Sequence, residues 1–421
     1  MLRVACLALL VLAPSAAVAQ KPEAPVERPE ALQRFFESLS RLEASRAQTV
    51  RVLQLGDSHT AADHQSAAVR RALQARFGGA GRGAVQFGLP IAAHSAEGVR
   101  SGLTGEWRVE QARRPTGERG DGRFGLGGVA LSSAAAGARA WLEPGTPSGR
   151  IELAYLKQPG GGGFEIFVDG VRQLRLSARA SLPGSAWQAL SPARPARTVE
   201  VRVLGDGEVR LFAASFEQAA PGLVYDALGV NGARASALLE WDEAHLAEQV
   251  SHRAPDLVVL AYGTNEAGER VAPETWEKQL GTVLQRIAKA APGAACLVLG
   301  PPDRAAPGPR GWASLPAIQQ VVAAQRRAAE AAGCAYFSQF DAMGGEGSMA
   351  AWAQESPPRA ARDRVHLSRE GYAQLGEAFA SALVGAYDAW REARGAAQER
   401  APGEQAVRGR HLGIRPPNAE P

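Results

Sequence analysis

The spacing of apolar residues along this 421-residue chain changes character twice. Leu32, Phe35, Phe36, Leu39 and Leu42 recur at intervals of three and four, which line up one face of a helix. They predict a first helix ending near Arg46. Val50-Arg51-Val52-Leu53-Gln54-Leu55 is short, β-branched and apolar and stops at Gly56-Asp57-Ser58-His59-Thr60, so it reads as a buried strand running into a tight turn. Val69, Leu73 and Phe77, each four apart, predict a helix that starts just after Ser58 and closes in the glycine cluster at 78–83. Between about Gly102 and Pro221 the interval becomes two: Ile151, Leu153 and Tyr155, then Phe164, Ile166 and Val168, then Val199, Val201 and Val203. Gly160–Gly163, Asp169-Gly170 and Gly205-Asp206-Gly207 supply the turns, and no long helical pattern intervenes. This stretch is expected to be an all-β sandwich that interrupts the first domain.

From Leu223 the pattern becomes strand followed by helix, which specifies a parallel sheet with crossovers on both faces. Leu257–Tyr262 reads as a buried strand, followed by a helix carrying Trp276, Leu280, Val283, Leu284 and Ile287. Ala295–Leu299 is the next strand, Leu315, Ile318, Val321 and Val322 mark another helix, and Cys334–Phe337 a short strand. A final helix begins near Ser368 with Tyr372, Leu375, Phe379, Leu383 and Tyr387 on one face. The expected organisation is an α/β domain from 29–101 plus 221–393, an inserted β-sandwich at 102–220, and a disordered tail at 394–421, where apolar content and periodicity fade.

Composition refines this outline. With 45% hydrophobic and 21% charged residues, the chain is neither disordered nor collagen-like. The 47 basic and 43 acidic residues leave a net charge of +4, and the arginines are scattered, which argues against a nucleic-acid binder. The opening MLRVACLALLVLAPSAAVAQ has a positive charge at Arg3, an apolar run from Val4 to Ala13 and small residues at Ala17-Val18-Ala19, and reads as a signal peptide at 1–19 cut before Gln20. No later segment reaches the roughly 20 apolar residues of a transmembrane helix. The protein is therefore expected to be exported, periplasmic or secreted. Cys6 leaves with the signal; Cys296 and Cys334 remain, either as a disulfide or as two buried thiols.

Ser58 stands where a strand turns into a helix, exposed at the carboxyl edge of a sheet, a placement that suits a nucleophile. A serine hydroxyl needs a base, and the base an orienting carboxylate. Asp363-Arg364-Val365-His366, just before the last helix, offers that pair. An oxyanion could be met by the backbone N–H groups of Ser58 and Gly232 and by the side-chain amide of Asn265, each just after a predicted strand. Asp57 is expected to hold its turn, and Glu266 and Asp303 to be scaffold or loop residues.

In their order and spacing, Gly56-Asp57-Ser58-His59, Gly232, Gly263-Thr264-Asn265-Glu266 and Asp363-x-x-His366 resemble the four blocks of the SGNH, or GDSL-type, hydrolases. That resemblance implies a flavodoxin-like three-layer sandwich, Ser58 as nucleophile, Asp363 and His366 completing a triad, and Ser58, Gly232 and Asn265 forming an oxyanion hole. Gly-Asp-Ser-His-Thr-Ala at 56–61, Phe77 with the Gly-Arg-Gly turn, and the β-rich insertion ahead of Gly229-Val230-Asn231-Gly232 further resemble the exported peptidoglycan O-acetylesterases of Gram-negative bacteria, in which the insertion is like a carbohydrate-binding module. The resemblance implies an acetylated glycan as substrate, most readily peptidoglycan. The alternatives are an esterase of another acetylated polysaccharide, an O-acetyltransferase, or a glycan-binding protein without catalysis. No cofactor is expected, and no metal: His59 and His64 are five apart, a poor spacing for shared ligation, with His94 more distant. Trp107, Trp141 and Trp187 are expected to be sandwich core rather than sugar platforms.

Overall fold

The computed structural model describes residues 24–87, 95–113 and 120–408; the expected signal segment 1–19, His94 and residues 409–421 lie outside them. The chain runs through α1 (Gln33–Ser45), β1 (Val50–Gly56), α2 (Ser58–Ala61) and α3 (His64–Phe77). A strand-rich stretch follows: β2 (Gly81–Gln86), β3 (Arg100–Thr104), β4 (Arg108–Gln111), β5 (Val129–Ser133), β6 (Arg139–Glu143), β7 (Arg150–Lys157), β8 (Gly163–Val168), β9 (Val171–Ser177), β10 (Gly184–Leu190), β11 (Val199–Val203) and β12 (Val209–Glu217). Alternation then resumes with β13 (Leu223–Gly229), α4 (Glu243–Arg253), β14 (Leu257–Ala261), α5 (Pro273–Ala290), β15 (Ala295–Gly300), β16 (Ala305–Gly308), β17 (Gly311–Ser314), α6 (Pro316–Ala331), β18 (Ala335–Ser338), α7 (Gln339–Met343), α8 (Ser348–Trp352) and α9 (Arg369–Arg408).

The central sheet has the order β13-β1-β14-β15-β18 and every pairing in it is parallel. Its strands are apolar on both faces because helices cover both. Val50, Val52, Leu257, Val259 and Leu297 face a core completed by Phe36 and Leu39 of α1, Leu73 of α3, and Leu375 and Phe379 of α9. Leu53, Leu55, Val258, Leu260 and Val298 face the other, with Val250 of α4, Leu284 of α5 and Val321 of α6. This is a three-layer α/β/α sandwich around a parallel sheet, as the sequence pattern predicts. Cys296 and Cys334 are disulfide-bonded with their Cα atoms 4.9 Å apart, which decides between the two states the sequence left open and ties β15 to the segment entering β18.

The strand-rich stretch builds two antiparallel sheets, β10-β7-β12-β5-β4 and β3-β6-β11-β8-β9. Leu153, Tyr155, Phe164, Ile166, Val201 and Leu211 fill the core between them. β2 pairs with β12 rather than ending the first segment as a glycine-rich loop. Gly81 makes this possible: a Cβ there would strike the carbonyl of Phe216.

Three local expectations need correction. The helix after Ser58 is broken: α2 ends at Ala61, Asp63 takes a left-handed φ of 52°, and α3 begins at His64. The last helix runs on to Arg408 instead of stopping near Arg394, continuing through the strong helix formers Ala396, Ala397, Gln398, Glu399 and Arg400. The three tryptophans are half-buried rather than core residues. Trp107 donates to the carbonyls of Thr104 and Arg139, both at 3.1 Å, and Trp187 stacks on His252 of α4 at 3.8 Å between ring centroids, joining the β module to the α/β layers.

Candidate active site

The carboxyl ends of β1, β13 and β14 lie side by side, with Gly56 opposite both Gly229 and Ala261. Glycine is required at the first two positions. A Cβ on Gly56 would meet Thr60 and the carbonyl of Ala261, and one on Gly229 would meet the backbone of Asp57 and Ala61. The backbone can therefore turn from β1 into α2 immediately, leaving Ser58 half-exposed on the rim at the first helical position, where backbone N–H groups have no intrahelical acceptor. Asp57, buried behind it, caps that turn by accepting from the N–H of His59 at 3.0 Å.

Ser58 Oγ lies 2.9 Å from His366 Nε2, and His366 Nδ1 lies 2.7 Å from Asp363 Oδ2. These three residues, 308 positions apart at the extremes, form one hydrogen-bonded chain. The protons follow from the acceptors. An ionised carboxylate can only accept, so Nδ1 carries the hydrogen and Nε2 presents its lone pair to the serine hydroxyl. Burial pushes the Asp363 carboxyl up, but the His366 side chain and the N–H groups of His366 and Val365 outweigh it and hold the group at about 2. Asp363 is thus ionised wherever the imidazole can act as a base.

Asn265 brings its amide to the same rim, where Nδ2 donates to the Ala233 carbonyl at 2.9 Å and reaches Asp57 Oδ2 only at 3.4 Å. One amide hydrogen is firmly held; the other is weakly engaged and could turn to a stronger acceptor. Gly232, at φ 78° on an exposed turn, leads to Ala233, whose N–H bonds Val230 O at 3.0 Å. Glu266 locks the two loops together by accepting from the N–H of Ala235 at 2.8 Å and of Gly263 at 3.0 Å. Burial raises the carboxyls of Glu266, to about 7, and of Asp57, to about 8, and each acts as a turn-holding acceptor, not an exposed acid. Asp303 is likewise buried scaffold, accepting from Ser314 Oγ at 2.8 Å and from the N–H of Met349 at 2.9 Å.

Two neighbours escaped the sequence reading. His59, quoted there as part of the first block and weighed as a metal ligand but given no role, packs its ring 5.3 Å from that of His366 and bonds the Tyr372 hydroxyl through Nδ1 at 2.9 Å. Burial, then the proximity of His366, lowers its imidazole to about 3, so it stays neutral while a charge develops beside it. Tyr372 reads in sequence only as one of the apolar positions of α9. His64 also packs against Tyr372, with ring centroids 6.0 Å apart. Among the described residues no group of three or more His, Cys, Asp or Glu side chains is placed to hold a metal, and no helix is long and apolar enough to cross a membrane.

The arrangement can perform acyl transfer: a hydroxyl with a base, a base with a fixed tautomer, and donors beside it for a developing oxyanion. The model of the GDSL-like Lipase/Acylhydrolase family matches residues 198–374, a span that holds Gly232, Asn265, Asp363 and His366 and begins after Ser58. A solved peptidoglycan O-acetylesterase is 25% identical, with a TM-score of 0.72 over 86% of this chain and 99% of that one, so the likeness takes in the β module as well as the parallel sheet. The lipase/acylhydrolase from Enterococcus faecalis is 21% identical over 39% of this chain and 77% of its own, with a TM-score of 0.30. The acetyl xylan esterase AlAXEase is 21% identical over 38% and 80%, with a TM-score of 0.29. No curated protein matches the chain.

Proposed function

We propose, for a chain that carries a GDSL/SGNH-type acylhydrolase domain and is a serine esterase, that it is exported and removes O-acetyl groups from a cell-wall glycan, peptidoglycan first among the candidates. The observation that carries the reading is the chain Ser58 Oγ, His366 Nε2 and Nδ1, Asp363 Oδ2, at 2.9 and 2.7 Å, on a rim that also holds the Asn265 amide. The choice of peptidoglycan is supported by the likeness to the peptidoglycan O-acetylesterase, which extends through the β module.

In this mechanism Ser58 Oγ attacks the acetyl carbonyl as its proton passes to His366 Nε2. The Asp363 carboxylate stabilises the imidazolium. The N–H groups of Ser58 and Gly232 and the Asn265 amide donate to the oxyanion. Collapse of the tetrahedral intermediate expels the sugar oxygen, which takes the proton from Nε2 and leaves an acetyl-serine. Water, deprotonated by the same nitrogen, attacks the ester carbonyl. Acetate departs, and Nε2 returns the proton to Ser58 Oγ. The β module, at 102–220, would hold the polymer while the rim acts on it.

The test is acetate release from purified O-acetylated peptidoglycan beside acetylated xylan, comparing the intact protein with Ser58→Ala. Release from peptidoglycan in excess of xylan and lost with Ser58 is the expected result. A preference for xylan would move the substrate, and transfer of labelled acetyl to a glycan acceptor without free acetate would make the protein a transferase.

A further inference from the structure

Next to the loop that presents Asp363 and His366 stands the small hairpin of β16 and β17, which no part of the acyl-transfer chemistry uses. It carries Trp312, the one large aromatic exposed among the described residues, with 44% of its surface in solvent. A ring left in water forgoes the burial that dominates folding, yet the support beneath this one is rigid. Asp303, fully buried, accepts from the N–H of Arg304 and from Ser314 Oγ, both at 2.8 Å, and from the N–H of Met349; Ser314 Oγ in turn accepts from the N–H of Gly347 at 2.7 Å. The hairpin is also tied to the triad loop, because the N–H of Ala305 donates to the carbonyl of Arg364 at 3.0 Å.

Arg364 lies between Asp363 and His366 with φ at 54°, a left-handed conformation that disfavours any residue with a Cβ. The turn is enforced by the N–H of Arg364 on Ala361 O at 3.1 Å and the N–H of Ala361 on His366 O at 2.9 Å. It sets the guanidinium carbon 4.8 Å from the centroid of the Trp312 ring. Nη1 donates to Arg362 O at 2.5 Å, while Nε has no hydrogen-bond partner. A strained arginine and an exposed indole, both fixed to the loop of the base, place a cation over one face of the ring while 44% of the tryptophan stays in solvent.

We propose that Trp312 and Arg364 form a subsite for a pyranose unit of the glycan chain next to the acetylated sugar, its C–H face on the indole and its oxygen substituents within reach of the guanidinium. The proposal rests on the glycan-esterase reading and adds where the neighbouring sugar sits. The test is calorimetric titration of the Ser58→Ala protein with acetyl-free peptidoglycan oligosaccharides, with and without Trp312→Ala or Trp312→Phe. Trp312→Ala should weaken binding about tenfold and Trp312→Phe less, the size expected of one aromatic platform. A thermal melt of each variant confirms the fold. Equal affinity with and without the indole, or no binding to the Ser58→Ala protein, overturns the subsite. Acetate release by the intact protein from acetylated peptidoglycan tests the parent reading separately. Release together with indole-independent affinity removes the subsite alone. Indole-dependent affinity without release removes the esterase reading and leaves the sugar platform.

Discussion

The two edges of the central sheet use charged and polar side chains in opposite ways. Where the strands begin, Arg253 pairs with Asp226 through Nε at 2.5 Å and Nη2 at 3.0 Å, and with Glu217 through Nη1 at 2.7 Å. Arg51 reaches the other Glu217 oxygen at 2.9 Å. The N–H of Ala84 donates to Asp226 at 2.7 Å, so the network joins β12 of the module, and β2 paired with it, to β1, β13 and α4. Arg253, Glu217 and Asp226 are each under a tenth exposed, and each charge is answered. Where the strands end, Asp363 and His366 keep 51% and 39% of their side chains exposed, and the second Asn265 hydrogen is held only weakly. Saturated pairing makes the first edge a joint. Incomplete pairing leaves the second edge with the donors and the base that the proposed acyl transfer needs.

If that division is sound, damage at one edge should spare what the other provides. The largest effect is expected from Ser58→Ala: a loss in kcat on the order of 10^6-fold on a chromogenic acetate ester, with an unchanged thermal midpoint. Retained turnover would remove Ser58 from the chemistry. Next comes Arg253→Ala, which takes the ion-pair partner from the buried Asp226 carboxylate and leaves Glu217 with Arg51 alone; it should cost about 3–5 kcal/mol of stability, while kcat measured well below the melting transition stays within a factor of a few. A variant that melts like the wild type but has lost its turnover would break the contrast between the edges. Asn265→Ala should lower kcat by about 100- to 1,000-fold, or roughly 2.7–4 kcal/mol of transition-state stabilisation. An unchanged rate there would strike the amide from the oxyanion site.

The reactive edge was far more legible in sequence than the joint. Ser58, Asn265 and His366 each follow or precede a strand or helix with a strong local signature, and a parallel sheet brings its strand ends together without further information. The order of strands and helices from Leu257 onward was readable for the same reason, since both core faces leave a periodic trace. The pairing of Arg253 with Asp226 and Glu217 leaves no such trace: its partners are 27 and 36 positions away and lie in different sheets. The bond between His59 and Tyr372 spans 313 positions, and one partner looks like an ordinary apolar residue of α9. The hairpin under Trp312 consists of two four-residue strands rich in alanine, glycine and proline, too short and too irregular to show alternation. Local pattern carries elements and their ends; charge pairing across sheets becomes visible only when the chain is folded.

The smallest expected effect is also the one that separates the edges most finely, because each holds a carboxyl at about 2. Burial raises Glu217, but hydrogen bonds and charge from Arg51 and Arg253 overcome it. A folded-state value below the ordinary carboxylate range means that the unfolded chain binds the proton more readily. The resulting stability is fully present above pH ~4.3 and is lost as the pH falls toward 2. Holding this carboxyl at about 2 instead of its ordinary ~4.3 corresponds to about 3 kcal/mol. Denaturant titrations of the wild type and Glu217→Gln across this range should therefore differ most near neutral pH, with the gap narrowing by about that amount on acidification. Asp363 shares the low value but is half in solvent, where screening leaves little net stabilisation, so Asp363→Asn should leave the pH dependence of stability nearly unaltered. A gap for Glu217→Gln that stays constant from neutral to acid pH would mean the joint is not held by its ionised carboxylate.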